Sequence, residues 1–246
     1  MDSVLKIGHR GAKGHLAENT LESIQLALDF GVDMIEIDVH RCNSGEIVVI
    51  HDFTLDRTTN GSGEIANKDW STLKELKVAG AYKIPLLTEV LDLIEGKSAI
   101  NIELKGSNTA EATCKIVQDY VENRNWNYSD FIISSFQVNE LFEARKFSEK
   151  IPIGVLSKAS ISEAIKIGKE LNALAIHPSI GIVTKDKILQ TKKAGFKVIV
   201  WTVNEPDAIA RMQEFGVDGI ISDYPDRLVK VQCLKLKGKV KSEKKA

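Results

Sequence analysis

Three short isoleucine-rich runs carry charge where an ordinary strand carries packing: Ile7-Gly8-His9-Arg10-Gly11, Ile35-Glu36-Ile37-Asp38-Val39 and Ile100-Asn101-Ile102-Glu103-Leu104-Lys105. Burying an unpaired carboxylate is costly, so acids alternating with isoleucines point to a compensating cation or a catalytic pocket. Glu36 and Asp38 stand two apart and therefore project from one face of their strand. With Glu103 they make three like charges, which repel one another until a hard divalent cation with oxygen ligands relieves the conflict. Carboxylate donors without a cysteine among them favour Mg²⁺ or Ca²⁺ over Zn²⁺. A structural ion network, with these acids paired to Arg10, Arg41 or Lys105, is the competing explanation, and it leaves their strand-end positions unexplained.

His9 and His51 follow apolar runs beside these acids. Two imidazoles can serve as proton acceptor and proton donor near neutral pH. Arg10 and Lys105 add fixed positive charge that suits a phosphate, Arg by a bidentate fork and Lys as a point charge. One cation, two imidazoles and two fixed positive charges describe phosphodiester cleavage. Phe136 and Trp201, each at the end of an apolar run, are candidate substrate contacts, although Trp201 would serve equally as a cap on a core. His177-Pro178 has two readings, a pocket residue or the mark of an extended exit. No Gly-x-Ser-x-Gly elbow and no glycine-rich nucleotide loop occurs in the sequence, so serine-hydrolase and nucleotide-kinase chemistry lack their main support.

The elements that must position these groups alternate along the chain. Short β-branched runs at residues 4–8, 34–39, 99–104, 131–135, 153–156, 173–176, 197–202 and 219–222 are separated by amphipathic stretches, the pattern of βα units around a parallel sheet. Helices are expected at 21–30, with Asn19 and Thr20 as caps and Gly31 as the stop, and at 185–194, stopped by Gly195. Eight repeats of one unit imply an α/β fold, a closed (βα)8 TIM barrel, with charged strand ends at its catalytic mouth. One interruption follows the second strand. The run Glu46 to His51 comes after only Asn43-Ser44-Gly45, too short a connection for a parallel crossover, so it should fold back as a hairpin. A turn centred on Ser44 and Gly45 places His51 opposite Asp38. Residues 52–84 are too long for a usual βα loop and read as an inserted subdomain over the mouth of a barrel spanning residues 1–230.

At 246 residues with 43% apolar content, the chain can bury a sizeable core. A formal net charge of -1 and few aromatic residues give no sign of nucleic-acid binding. The exception is a lysine-rich end over residues 231–246, read as a flexible solubilising tail with weak contact to an anionic membrane surface as the alternative. Cys42, Cys114 and Cys233 are odd in number and far apart, which suits free thiols in a reducing compartment. No basic and apolar leader and no long apolar stretch is seen, so a cytoplasmic location without a transmembrane segment is expected.

The motifs together resemble the glycerophosphodiester phosphodiesterase family. They are, in order, His9-Arg10-Gly11, Glu18-Asn19-Thr20, Glu36-Ile37-Asp38-Val39-His40, His51-Asp52, Leu55-Asp56-Arg57-Thr58-Thr59, Glu103-Leu104-Lys105, Trp201-Thr202-Val203-Asn204 and the run from Gly219 to Pro225. Two departures are Ala17, where the family usually has proline, and Leu87, where it commonly has threonine. The resemblance implies a (βα)8 barrel that hydrolyses small glycerophosphodiesters to sn-glycerol 3-phosphate and an alcohol. It further implies a divalent cation on Glu36, Asp38 and Glu103, proton transfer by His9 and His51, and charge balance by Arg10 and Lys105. Two alternatives remain: a lysophospholipase D acting on the same diester within a longer amphiphile, with Phe53, Leu55 and Trp70 as contributors to an apolar mouth, and a non-catalytic phosphate-binding barrel.

Overall fold

The computed structural model describes residues 4–229; the lysine-rich tail and Cys233 lie outside them. Among the described residues nine strands run β1 Leu5–His9, β2 Met34–Arg41, β3 Ile47–Val49, β4 Ala99–Leu104, β5 Phe131–Ser135, β6 Ile153–Ser157, β7 Ala175–Pro178, β8 Lys197–Val200 and β9 Gly219–Ser222. Eight of them are parallel and close into a barrel, because β1 pairs with both β2 and β9. The helices are α1 Leu21–Asp29, α2 Trp70–Leu73, α3 Leu87–Ile94, α4 Ala110–Asn123, α5 Val138–Phe147, α6 Ile161–Glu170, α7 Lys185–Lys193 and α8 Pro206–Phe215.

Alternation along each strand builds two cores. Outward residues such as Ile35, Ile37, Val39, Ile100, Ile102, Ile133 and Ile176 are fully buried against the helices. Each such side chain contributes roughly 1.5–3 kcal/mol of transfer free energy. Inward residues Ile7, Met34, Ile132, Ala175, Ile199 and Ile221 fill the lumen floor, which makes it a packed platform rather than a pore. Burial on both faces explains why β2 reads as a nearly continuous buried run. The first helix starts where Thr20 accepts a hydrogen bond from the Ser23 amide, and Gly31 follows it at φ +73°.

Several expected boundaries shift by one or two residues. Moves of two residues occur in the second strand, which runs on to Arg41, in the sixth barrel strand, now Ala175–Pro178 with His177 inside it, and in the seventh, which ends at Val200. The hairpin forms, but its register differs from the expectation by one residue. Val39 faces Val49 and Arg41 faces Ile47, and the Ile50 amide donates to the Asp38 carbonyl at 3.0 Å. Ile50, not His51, therefore stands opposite Asp38. The cause is a three-residue turn, Asn43 to Gly45, closed by a bond from the Cys42 amide to the Glu46 carbonyl, with Gly45 at φ +106°. The segment after β3 packs its own small core of Ile50, Leu55, Ile65, Leu73, Val78 and Ile84 beside Val48.

Candidate active site

Strand register assembles the carboxylates. Asp38 pairs with Glu103, Glu36 pairs with Asn101, and His9 pairs with Glu36. One oxygen from each of Glu36, Asp38 and Glu103 lies within 4.8 Å of the others, and all three residues are buried. The competing ion network exists in part. Arg10 Nε lies 3.0 Å from Asp38 Oδ2, and Lys105 Nζ lies 2.6 Å from Glu103 Oε1 and 3.5 Å from Asp38 Oδ1. Arg41 takes no such place in it, and two cations do not balance three acids. Asp38 Oδ1 and Glu103 Oε1 are buried and meet the Lys105 ammonium as an ion pair, without further hydrogen bonds to fill their remaining acceptor capacity. Unsatisfied buried oxygens within a ring of carboxylates are the donor set that a hard divalent cation takes.

Electrostatics separate the three acids. Burial pushes Glu36 well above the ordinary carboxylate range, and Asp38 and Glu103 push it further. Burial and the Asp38 charge raise Glu103 to about 7. Burial would raise Asp38 as well, but Arg10 and Lys105 hold it at about 2. Asn19 reinforces that anion by donating from Nδ2 to Asp38 Oδ2 at 2.9 Å. Asn19 and Arg10 both adopt positive φ, 60° and 50°. Such backbone is costly for side-chain-bearing residues and here turns the Arg10 amide onto Glu36 Oε2 at 2.9 Å.

Both histidines are oriented by aspartates. His9 Nδ1 lies 2.5 Å from Asp223 Oδ1, and His51 Nδ1 lies 2.6 Å from Asp52 Oδ1. An aspartate at Nδ1 favours the tautomer with its proton there, which leaves each Nε2 as the free acceptor. His9 Nε2 stands 3.9 Å from Glu36 Oε2. Burial lowers both imidazoles below their ordinary value, opposed at His9 by the Asp223 hydrogen bond and at His51 by the Asp38 charge. Asp52 is in turn held down by its hydrogen bond from Arg57. Arg57 also donates to Glu18, which accepts from Arg10. A continuous chain of charge thus runs from His51 through Asp52, Arg57 and Glu18 to Arg10.

These groups line a cavity of about 230 Å³ at the mouth, in which His9, Arg10, Glu36, His51, Glu103 and Lys105 meet Phe136 and Trp201. Of the nine residues given a role from sequence, eight fall on this wall, and the ninth, Asp38, is fully buried and engages Arg10 and Asn19, whereas Phe53, Leu55 and Trp70 do not line it. His51 reaches the pocket despite the shifted register because the chain bends immediately after β3. His177 is fully buried, with neither ring nitrogen hydrogen-bonded, and Trp201 Nε1 donates to its carbonyl at 2.8 Å. Sequence reasoning missed the roles of Asp223, Asp52, Glu18, Asn19 and Arg57. All five lie in motifs already singled out, and an acid next to His51 was itself a signal for an oriented imidazole.

Residues 9–227 match the glycerophosphoryl diester phosphodiesterase family. The chain is 34% identical over 240 residues to the glycerophosphodiester phosphodiesterase of Caldanaerobacter subterraneus subsp. tengcongensis, covering 92% of this chain and 96% of that protein. It is 35% identical to the glycerophosphodiester phosphodiesterase of Bacillus altitudinis, covering 91% and 96%. Among solved structures, a phosphodiesterase of Oleispira antarctica in complex with the product sn-glycerol-3-phosphate is similar with a TM-score of 0.84 at 29% identity, covering 92% of this chain and 95% of that one.

Proposed function

The chain belongs to the glycerophosphoryl diester phosphodiesterase family, and from that premise we propose how its mouth hydrolyses a glycerophosphodiester to sn-glycerol 3-phosphate and an alcohol. Glu36, Asp38 and Glu103 hold a divalent cation, Mg²⁺ or Ca²⁺, His9 and His51 move the protons, and Arg10 and Lys105 bind the phosphoryl group. The observation that carries this reading is the meeting of three carboxylate oxygens within 4.8 Å, in one pocket with two aspartate-oriented imidazoles and two cations. When bound there, a divalent cation supplies Lewis acidity to phosphoryl oxygens and lowers the pKa of a nearby hydroxyl or water.

The protein's own groups do the rest. One imidazole accepts at Nε2 the proton of the attacking group, and the resulting imidazolium is stabilised by its aspartate. The attacking group is either a water, which gives the monoester directly, or the neighbouring glycerol hydroxyl, which gives a cyclic phosphate that a water then opens. The other imidazole, protonated, gives its proton to the departing alkoxide oxygen, so that the alcohol leaves neutral. Arg10 and Lys105 meet the negative charge that builds on the phosphoryl oxygens, and their partial burial strengthens that interaction. Phe136 and Trp201 form the aromatic side of the pocket at a ring separation of 5.5 Å, where the organic part of the substrate packs.

A cytoplasmic setting completes the reading, supported by the buried free thiols of Cys42 and Cys114. Among the described residues no helix is long and apolar enough to cross a membrane. The test is release of glycerol 3-phosphate from glycerophosphocholine, and of lysophosphatidic acid from lysophosphatidylcholine, each with EDTA, Mg²⁺ or Ca²⁺. Cation-dependent turnover of the soluble diester supports the reading, turnover of the lipid alone favours the lysophospholipase D alternative, and turnover undiminished by EDTA overturns the cation assignment.

A further inference from the structure

Beside the catalytic pocket lies a second cavity of about 210 Å³. The two share a wall, because Phe136 and Leu156 line both. The second cavity is lined by apolar side chains, including Val138 of α5 and Ile167 of α6, by the serines Ser135, Ser157 and Ser160, and by Lys158 and Glu163. A third cavity near the mouth meets the catalytic pocket only through Lys13, and its charged groups Glu18 and Arg57 are already paired with each other. The crevice behind Phe136 is thus the better-connected extension of the catalytic pocket, and its charged groups are free.

Phe136 is 37% exposed and meets Trp201 edge to face. The ammonium groups of Lys105 and Lys158 each stand 5.7 Å from its ring centroid. Lys105 is committed to Glu103 and Asp38. Neither Lys158 nor Glu163 has an ion-pair partner among the described residues. An aromatic ring in a phosphodiesterase pocket would ordinarily attract a quaternary ammonium. Here two ammonium groups already flank that ring, so an incoming cation meets like charge at the passage, whereas an anion meets the unpaired Lys158.

We infer that the crevice behind Phe136 is the subsite for the alcohol half of the diester, and that Lys158 makes it select alcohols carrying a negative charge. The inference rests on the phosphodiesterase reading above and adds its substrate class. Leu156, Val138 and Ile167 pack the carbon skeleton of the alcohol, and Lys158 pairs with its carboxylate or phosphate. Glu163 is the opposing charge on the same lining and weakens the preference, whereas Lys158 is the charge that stands against the Phe136 ring at the shared wall.

The test is kcat/KM of the full chain for three soluble diesters: glycerophosphoglycerol, its terminally phosphorylated form, and glycerophosphocholine. At low ionic strength the anionic alcohol should exceed the cationic one by about threefold to fivefold, the scale of one exposed charge pair. Lys158→Glu should invert that order while turnover of the neutral diester stays within about twofold, and Glu163→Gln should widen it. Raising the ionic strength should flatten the difference. A wild-type enzyme indifferent to alcohol charge or preferring choline would overturn the subsite, as would a Lys158→Glu variant with unchanged ranking. Failure to turn over any of the three would instead remove the phosphodiesterase reading, and the subsite with it.

Discussion

Into the barrel lumen β1, β2 and β4 send His9, Glu36, Asp38 and Glu103, whereas β5, β6 and β7 send Ser134, Leu156 and His177, the neighbours of outward-packed Ile133, Val155 and Ile176. Both halves are deeply buried, yet their titratable groups behave differently. In the charged half, burial acts on every carboxyl alike, and neighbours then separate Asp38, at about 2, from Glu103, at about 7. In the neutral half, burial alone pulls His177 down to about 3. Desolvation sets the cost of charge, and the arrangement of partners decides which groups carry it. In the charged half neighbours decide which acids hold protons, and the neutral half is a wall.

The sharpest break of that contrast is removal of a carboxylate. Glu103→Gln or Glu36→Gln keeps shape and loses charge, and kcat/KM for a glycerophosphodiester should fall by about 10³ or more if a bound cation supplies several kcal/mol to the transition state. Cation titration by calorimetry should show affinity lost in the same variants. Full activity in both would return the cluster to a structural ion network.

Next in size are the imidazoles. His9→Ala and His51→Ala should each lower kcat by about 10² or more while leaving cation affinity nearly unchanged, since neither ring is assigned to the cation. The two effects should be far from additive, because the rings act on one substrate in one transition state. Unchanged turnover in both variants would sink the proton-transfer assignment.

How far these sites could be read from residues alone follows from where their partners sit. The eight barrel strands were legible because each is a short β-branched run, and the carboxylate cluster because Glu36, Asp38 and Glu103 interrupt two of those runs. Asp223 was not legible as the partner of His9, since 214 positions separate them and only the β1–β9 closure brings them together. Glu18 likewise joins Arg10 to Arg57 through a fold, with 39 positions between Glu18 and Arg57. The hairpin register failed for a local reason: two-residue and three-residue turns both fit Asn43-Ser44-Gly45, and one residue of turn moves every pairing.

A smaller effect is expected from pH. With Glu103 raised to about 7 and Glu36 raised well above the carboxylate range, the cation-free protein holds protons on this pair as pH falls, and an incoming cation must displace them. Apparent cation affinity should therefore weaken as pH falls through 7, by about tenfold per unit for each proton displaced. Calorimetry in two buffers of different ionisation enthalpy would count the protons released. Binding indifferent to pH between 6 and 8 would mean that Glu103 is already ionised in the cation-free protein.

The smallest effect belongs to the neutral half. His177 is as buried as any carboxylate of the site, but no charge faces it, neither ring nitrogen is hydrogen-bonded, and Gly154 makes room for the ring: a Cβ there would lie 2.6 Å from Nε2. A polar group buried without partners costs stability, and replacing it by an apolar one of similar volume removes that cost. His177→Leu should leave kcat/KM within about threefold and cation affinity unchanged, and its thermal midpoint should equal or exceed that of the wild type. The comparison with His9→Ala separates two imidazoles of similar burial by the company they keep. A loss of activity near that of His9→Ala would place His177 in the reaction and remove the division between a charged and a neutral half, whereas a lower midpoint with activity intact would show that its nitrogens have partners worth keeping.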